Sequence, residues 1–129
     1  MNEKLEEVND GELVIRTLAL PENTNVNGDI FGGWILSQMD LGGSILAHKI
    51  AKGKTVTVAI NSMVFIRPVA VGDVVGVYAK LINIGTTSLK LNIRTYVIRK
   101  NSYMRELVTQ AEFTYVKIDE NNKPQKIEQ

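Results

Sequence analysis

Trp34 to Ala47 reads WILSQMDLGGSILA, a stretch that is apolar or small nearly all the way round a helix and carries a single charge, Asp40. A helix without a broad polar face belongs against a core, and a carboxylate placed there is costly unless it is paired or kept for chemistry. Ile35, Met39, Gly42, Gly43, Leu46 and Ile50 follow the i, i+4, i+7 spacing of an inward stripe. The helix is expected to begin near Gly32 or Gly33 and to run to about Lys52, before Gly53, a length of roughly 28 Å at 1.5 Å per residue. Gly42-Gly43 in its middle costs about 2 kcal/mol of helix propensity relative to alanines. That cost implies a close neighbour on this face, for which tight packing is the more frequent reason and a slim ligand the rarer one.

The run NVNGDIFGG (Asn25–Gly33) lies immediately upstream. Its glycines let backbone approach a ligand where the first N–H groups of the helix point outward without partners. An anion-stabilising helix start, followed about two turns later by a lone acid, has the makings of an active site.

The remaining pattern is that of strands. Glu12–Leu20 (ELVIRTLAL) suits a first strand stopped by Pro21, and PENTNVNGD supplies the turn chemistry of a loop. Thr55–Ile66 (TVTVAINSMVFI) contains no charge, which predicts a central strand covered on both faces and ended by Arg67-Pro68. After a turn at VAVGD come Val74–Ile84, Ser88–Arg99 and Tyr103–Ile118, linked by Gly85-Thr86-Thr87 and Lys100-Asn101-Ser102. Such short links force antiparallel neighbours. In Ser88–Arg99, Leu89, Leu91, Ile93 and Thr95 alternate with Lys90, Asn92, Arg94 and Tyr96, so one face points to the core and the other to water or a partner.

The chain therefore divides into a polar N-terminal segment (1–11), a single domain (12–118) and a polar tail (119–129) that is expected to be frayed. One long helix wrapped by a strongly bent antiparallel sheet of five or six strands is the simplest α+β arrangement that buries these faces. That is the hotdog fold.

Composition limits the function classes. The 129 residues, 44% of them hydrophobic, can build one core without staples. Fifteen basic and fourteen acidic residues leave a net charge of +1 with no basic stripe, so nucleic acid is not an expected partner. The absence of cysteine removes thiol nucleophiles, disulfides and thiolate metal sites, and agrees with a reducing compartment. MNEKLEEVNDG is unlike a signal peptide, and no segment reaches the roughly 18 apolar residues of a membrane span, so a cytoplasmic protein that does not enter the membrane is expected. The single histidine, His48, lies eight residues beyond Asp40, about 12 Å along the helix, too far to share a substrate atom with it. A position favoured by the helix dipole explains it better, and no metal site is expected.

The stretches TLALPENTNVNGDIFGGWILSQMD (Thr17–Asp40), TVTVAINSMVFIRPVAVGD (Thr55–Asp73) and GTTSLKL (Gly85–Leu91) resemble the bacterial acyl-coenzyme A thioesterases of the YciA type, with likeness from about Gly11 to Lys117. The resemblance implies a homo-oligomer: a dimer whose sheets join edge to edge, acyl-thioester sites at the interface, and commonly a trimer of dimers. Asp40 matches the family's acid and Asn25 the loop asparagine that faces the acid of the opposite subunit. A carboxylate can serve as general base on a water or attack the carbonyl itself; general base is preferred because no anhydride then has to be resolved. Gly32 and Gly33 are expected to offer backbone N–H groups to the thioester oxygen, and Asp29 to steady the loop or helix start. Thr86, Thr87 and Ser88 match the family's G-x-[ST]-S turn and are candidates for contact with the coenzyme. Arg67, Arg94 and Arg99 are candidates for its phosphates. The coenzyme is part of substrate and product, so no separate cofactor is implied. The Lys100-Asn101-Ser102 turn is shorter than in similar proteins, which puts any coenzyme contact from it in doubt.

Each candidate has a structural alternative: a buried ion pair for Asp40, a loop-bonding turn residue for Asn25, a tight turn for the two glycines. Two other functions use the same groove. A hydratase or dehydratase of this fold usually pairs a histidine with its acid, and none is at hand. An acyl-coenzyme A binding or sensing module would dispense with the acid. Acyl-chain preference depends on the packing of residues such as Leu36, Met39 and Met63.

Overall fold

Every second side chain of Ser88–Ile98 is buried, Leu89, Leu91, Ile93, Thr95 and Val97 facing inward, and this strand (β4) is the middle of the sheet. The structure is a computed structural model and describes residues 10–129. Around β4 stand β1 (Glu12–Leu18), β2 (Thr55–Phe65), β3 (Val74–Ile84) and β5 (Arg105–Lys117), in the spatial order β1-β3-β4-β5-β2 with every pairing antiparallel. A short 3-10 turn (Pro21–Asn23) leads toward α1 (Gly32–Ala51), which lies across the sheet and touches all five strands. The expected α+β hotdog architecture is present, with five strands among the described residues.

The helix stripe packs as its spacing predicts: Ile35, Met39, Gly42, Gly43, Leu46 and Ala47 join Val77, Leu91, Ile93 and Phe113 in one core. The glycine pair is explained by packing. A Cβ on Gly42 would press on Val14 and Val77, and one on Gly43 would overlap Ile93 and the Tyr115 hydroxyl. No helix among the described residues is long and apolar enough to cross a membrane.

Three expectations are corrected. Thr55–Ile66 is not a central strand: among the described residues β2 is the sheet's edge, pairs only with β5, and leaves Val56, Val58 (54% exposed), Ile60, Val64 and Phe65 uncovered. The helix is likewise covered on one side only, with Leu41 (57%) and Ile45 (54%) exposed. An apolar, charge-free edge strand is an invitation to another chain's strand. The absence of charge predicts cover on both faces, and among the described residues this strand does not have it.

The third correction concerns the tail. Residues 119–129 do not fray in this structure; Ile127 is 2% exposed and its N–H donates to the Thr86 carbonyl oxygen at 2.8 Å, while the Gln125 N–H donates to the Lys117 carbonyl oxygen at 2.8 Å. One apolar anchor and a few backbone bonds suffice, although the surrounding sequence is polar. Of the N-terminal segment, residues 1–9 lie outside the described residues. Asp10 is buried, and its carboxylate accepts hydrogen bonds from Arg94, Tyr96 and Arg105.

Candidate active site

Asp40 sits on the part of α1 that crosses the β5–β2 edge, half-buried and in contact with both strands. Thr57 and Tyr115 are register partners in β2 and β5, so their side chains lie side by side on the helix-facing surface. The Thr57 hydroxyl donates to Asp40 Oδ1 at 2.6 Å. The Tyr115 hydroxyl lies 3.2 Å from the same oxygen and 3.3 Å from the Asp40 carbonyl oxygen. Asp40 thus has partners, but no ion pair: among the described residues, no cation meets it. Burial, and after it the neighbouring carboxylate, push the Tyr115 phenol well above its ordinary value, so it remains a proton donor at any working pH.

Neither hydroxyl was found by sequence reasoning. Thr57 and Tyr115 lie 17 and 75 residues from Asp40. Only the register between β2 and β5 puts them beneath the same helical turn, and register is not written in a local motif.

The other end of the site is the start of α1. Phe31, the N-cap, is extended and gives no side-chain cap. Among the described residues, the N–H groups of Gly32 and Gly33 meet no acceptor, which leaves them free to bind a partial negative charge. The loop before them is tied down by Asn25. Its N–H donates to the Asp29 carbonyl oxygen at 2.7 Å, and its Oδ1 accepts from the N–H of Asn27 at 2.8 Å and of Asp29 at 3.2 Å. Gly28 supplies the left-handed backbone this loop needs, with φ +86°. The loop-bonding account of Asn25 therefore describes its carbonyl, and it leaves the Nδ2 amide on an exposed residue able to donate elsewhere. Asp29 steadies the loop through its backbone.

Beside the helix start runs an open groove of about 310 Å³, lined by Gly32, Ile35, Phe65, Ile66 and Arg67 among others. Its walls are mainly apolar, and Arg67 is the cation at its rim; one guanidinium N–H donates to the Leu107 carbonyl oxygen at 2.8 Å. The other two arginines are engaged within the chain. Arg94 pairs with Asp10 at 3.0 Å, and Arg99 with Asp73 at 2.7 Å and Glu106 at 2.9 Å. In the 85–88 turn, the carbonyl oxygens of Thr86 and Thr87 hold Ile127 and Lys117, so its backbone secures the C-terminal end of the fold. Ser88 begins β4.

The two ends do not meet within one chain. Asp40 follows Gly33 by seven residues, about 10.5 Å along the helix axis, and no hydrogen bond joins Asn25 or the two glycines to it among the described residues. One chain carries a donor end and an acid end that are too far apart to act on the same carbonyl group. The acid end opens on the uncovered β2 edge, Thr57 being itself exposed.

Comparison with known proteins bears on both ends. The thioesterase superfamily profile matches residues 27–98, from the loop through the end of β4. The acyl-CoA thioester hydrolase YciA of Salmonella typhimurium is 55% identical over 117 residues, covering 88% of this chain and 88% of that protein. Among solved structures, a hexameric thioesterase from Yersinia pestis superposes with a TM-score of 0.89 at 51% identity, covering 92% of this chain and 97% of that one. A hexameric broad-specificity acyl-coenzyme A thioesterase gives 0.90 at 48% identity, with 92% and 88% covered.

Proposed function

The chain belongs to the thioesterase superfamily, and on that footing we propose that it is an acyl-coenzyme A thioester hydrolase whose active site is completed across two copies of the chain. Asp40 is the general base. It takes a proton from a water that adds to the thioester carbonyl carbon, and the resulting oxyanion is held by the N–H groups of Gly32 and Gly33, with Asn25 Nδ2 as a further donor. Collapse of the tetrahedral species breaks the C–S bond. The proton on Asp40 passes to the departing coenzyme A thiolate, leaving the free acid and the carboxylate ready for another water.

The observation that carries this reading is the placement of Asp40: a carboxylate without a cation, held on one oxygen by two hydroxyls, at an uncovered strand edge. The roughly 10.5 Å between Asp40 and the amides of Gly33 argues that the acid of one subunit works with the donors of the other. Edge-to-edge pairing through β2 would bring the two ends together and cover Val58 and Ile60. The chain is a homo-oligomer on this reading, with the dimer as the smallest complete unit and three dimers in the hexamer, as its relatives' hexamers support. The groove beside Phe65 and Arg67 receives the thioester arm, with Arg67 toward the phosphates. Arg94 and Arg99 serve the scaffold, and Thr86, Thr87 and Ser88 remain candidates for the coenzyme only through their side chains.

Incubation with a panel of acyl-coenzyme A esters should release free thiol with saturation kinetics, and an enoyl ester should be hydrolysed without prior hydration of its double bond. Saturable binding without thiol release would make the chain a sensing module, and hydration first would make it a hydratase.

The helix start has its own test. A Cβ on Gly33 would meet only the Phe31 ring, at 3.4 Å, and Gly33 has no left-handed backbone to strain. A tight turn does not demand glycine here. Gly33→Ala should therefore lower kcat/KM by about tenfold or more, by crowding the carbonyl that approaches its amide, while Tm stays within a few degrees. Loss of stability in proportion to activity, or loss of neither, would remove this glycine from the oxyanion site.

A further inference from the structure

Asp40 is restrained from beneath the helix by a residue far from the helix motif. Tyr115 lies within β5 with no exposed surface, and its hydroxyl reaches both Oδ1 and the main-chain carbonyl oxygen of Asp40. A buried tyrosine needs a partner for its hydroxyl. This one finds it because α1 omits a side chain: a Cβ on Gly43 would occupy the place of the Tyr115 hydroxyl. The ring is fixed in turn by Phe113, stacked at 6.3 Å between centroids.

Oδ1 receives the Thr57 hydroxyl at 2.6 Å and has the Tyr115 hydroxyl at 3.2 Å, whereas Oδ2 accepts no hydrogen bond among the described residues. Resting on the reading of Asp40 as the base, we infer that Tyr115 is a positioning residue that pins Oδ1 and thereby makes Oδ2 the oxygen that takes the proton from water. A carboxylate on two free torsions would otherwise exchange its oxygens and swing with the helix surface. Two donors on one oxygen, one of them buried and rigid, stop that motion. Around the neighbouring Gly42 and Gly43, β1 brings Val14 and Ile15, β3 Val77 and β4 Ile93, all apolar, while β2 brings the Thr57 hydroxyl to Asp40. Among the described residues, Tyr115 is the one titratable side chain that hydrogen-bonds to Asp40.

Tyr115→Phe keeps the ring and deletes the donor. Its kcat should fall about tenfold with KM within about twofold, and the acid limb of the kcat/KM profile should move to higher pH, since a carboxylate that loses a donor is easier to protonate. In an Asp40→Asn background the same substitution should cost less than about twofold, because a residue that acts through Asp40 has nothing left to position. A kcat within twofold of wild type with an unmoved acid limb overturns the role, and so does a loss that persists undiminished in the Asp40→Asn background. Should the phenylalanine variant not fold, a fluorinated tyrosine at position 115 keeps the shape and strengthens the donor; the acid limb then moves to lower pH, and an unmoved limb overturns the proposal. The two readings separate cleanly. An active Asp40→Asn enzyme removes the base itself, whereas an inactive one beside a normal Tyr115→Phe enzyme removes only the positioning role.

Discussion

Asp40→Asn is expected to lower kcat by about three orders of magnitude while the protein folds and assembles as before. The substitution is close to isosteric, and its side-chain oxygen can still accept from Thr57 and Tyr115 as Oδ1 does now. What changes is the other position: an amide nitrogen, a donor that cannot take a proton from water, replaces Oδ2. Removing a charge from a half-buried site that lacks a cation leaves no counter-ion stranded, so Tm should shift by only a few degrees. Acyl-coenzyme A binding should persist, measured with a non-hydrolysable analogue. Turnover within tenfold of wild type in a well-folded variant would show that the general base lies elsewhere.

Tyr115 and Thr57 mark the boundary of what could be read from the chain. The helix was legible because its apolar spacing is local, and Asp40 stood out because it is the single charge between Trp34 and Ala47. The five strands were legible for a similar reason, their alternation and their short links. The partners of Asp40 were not, since hydroxyl residues are ordinary on strands and only long-range register brings these two beneath it. The arginines were misleading in the opposite way. A guanidinium is equally suited to a phosphate and to a carboxylate; Asp10 and Asp73 lie far from Arg94 and Arg99 in sequence, and Glu106, seven residues from Arg99, meets it only through the turn between β4 and β5.

The error over β2 has a different origin. A run of twelve residues without charge predicts burial on both faces, but a sequence does not say whether a covering layer would come from the same chain or from another. The charge-free run of Thr55–Ile66 predicts a place in the middle of the sheet, and the strand stands at its edge. The helix carries the same ambiguity: its inner stripe meets the sheet, while Leu41 and Ile45 stay more than half exposed among the described residues. The tail was missed because one residue, Ile127, supplies its apolar anchor and backbone groups supply the rest, and backbone bonding carries no compositional signal.

Mixing two inactive variants is expected to restore activity that neither possesses alone. In Asn25→Ala the donor end of the site is damaged, and in Asp40→Asn the acid end; each homo-oligomer should retain on the order of 1% of wild-type turnover or less. If each site takes its acid from one subunit and its donors from the other, a mixed dimer holds one site with both defects and one with none. Random exchange of equal amounts makes half the dimers mixed, so about a quarter of wild-type activity should return. A site contained in a single chain would give no recovery at all, because every chain then carries one of the two lesions. The contrast between a quarter and nothing is large enough to survive incomplete mixing, provided subunit exchange is verified by mass or by a tag on one variant. The roughly 10.5 Å between Gly33 and Asp40 along a continuous helix is what makes recovery the expected result, since a helix cannot fold back to bring its first amides to its own third turn.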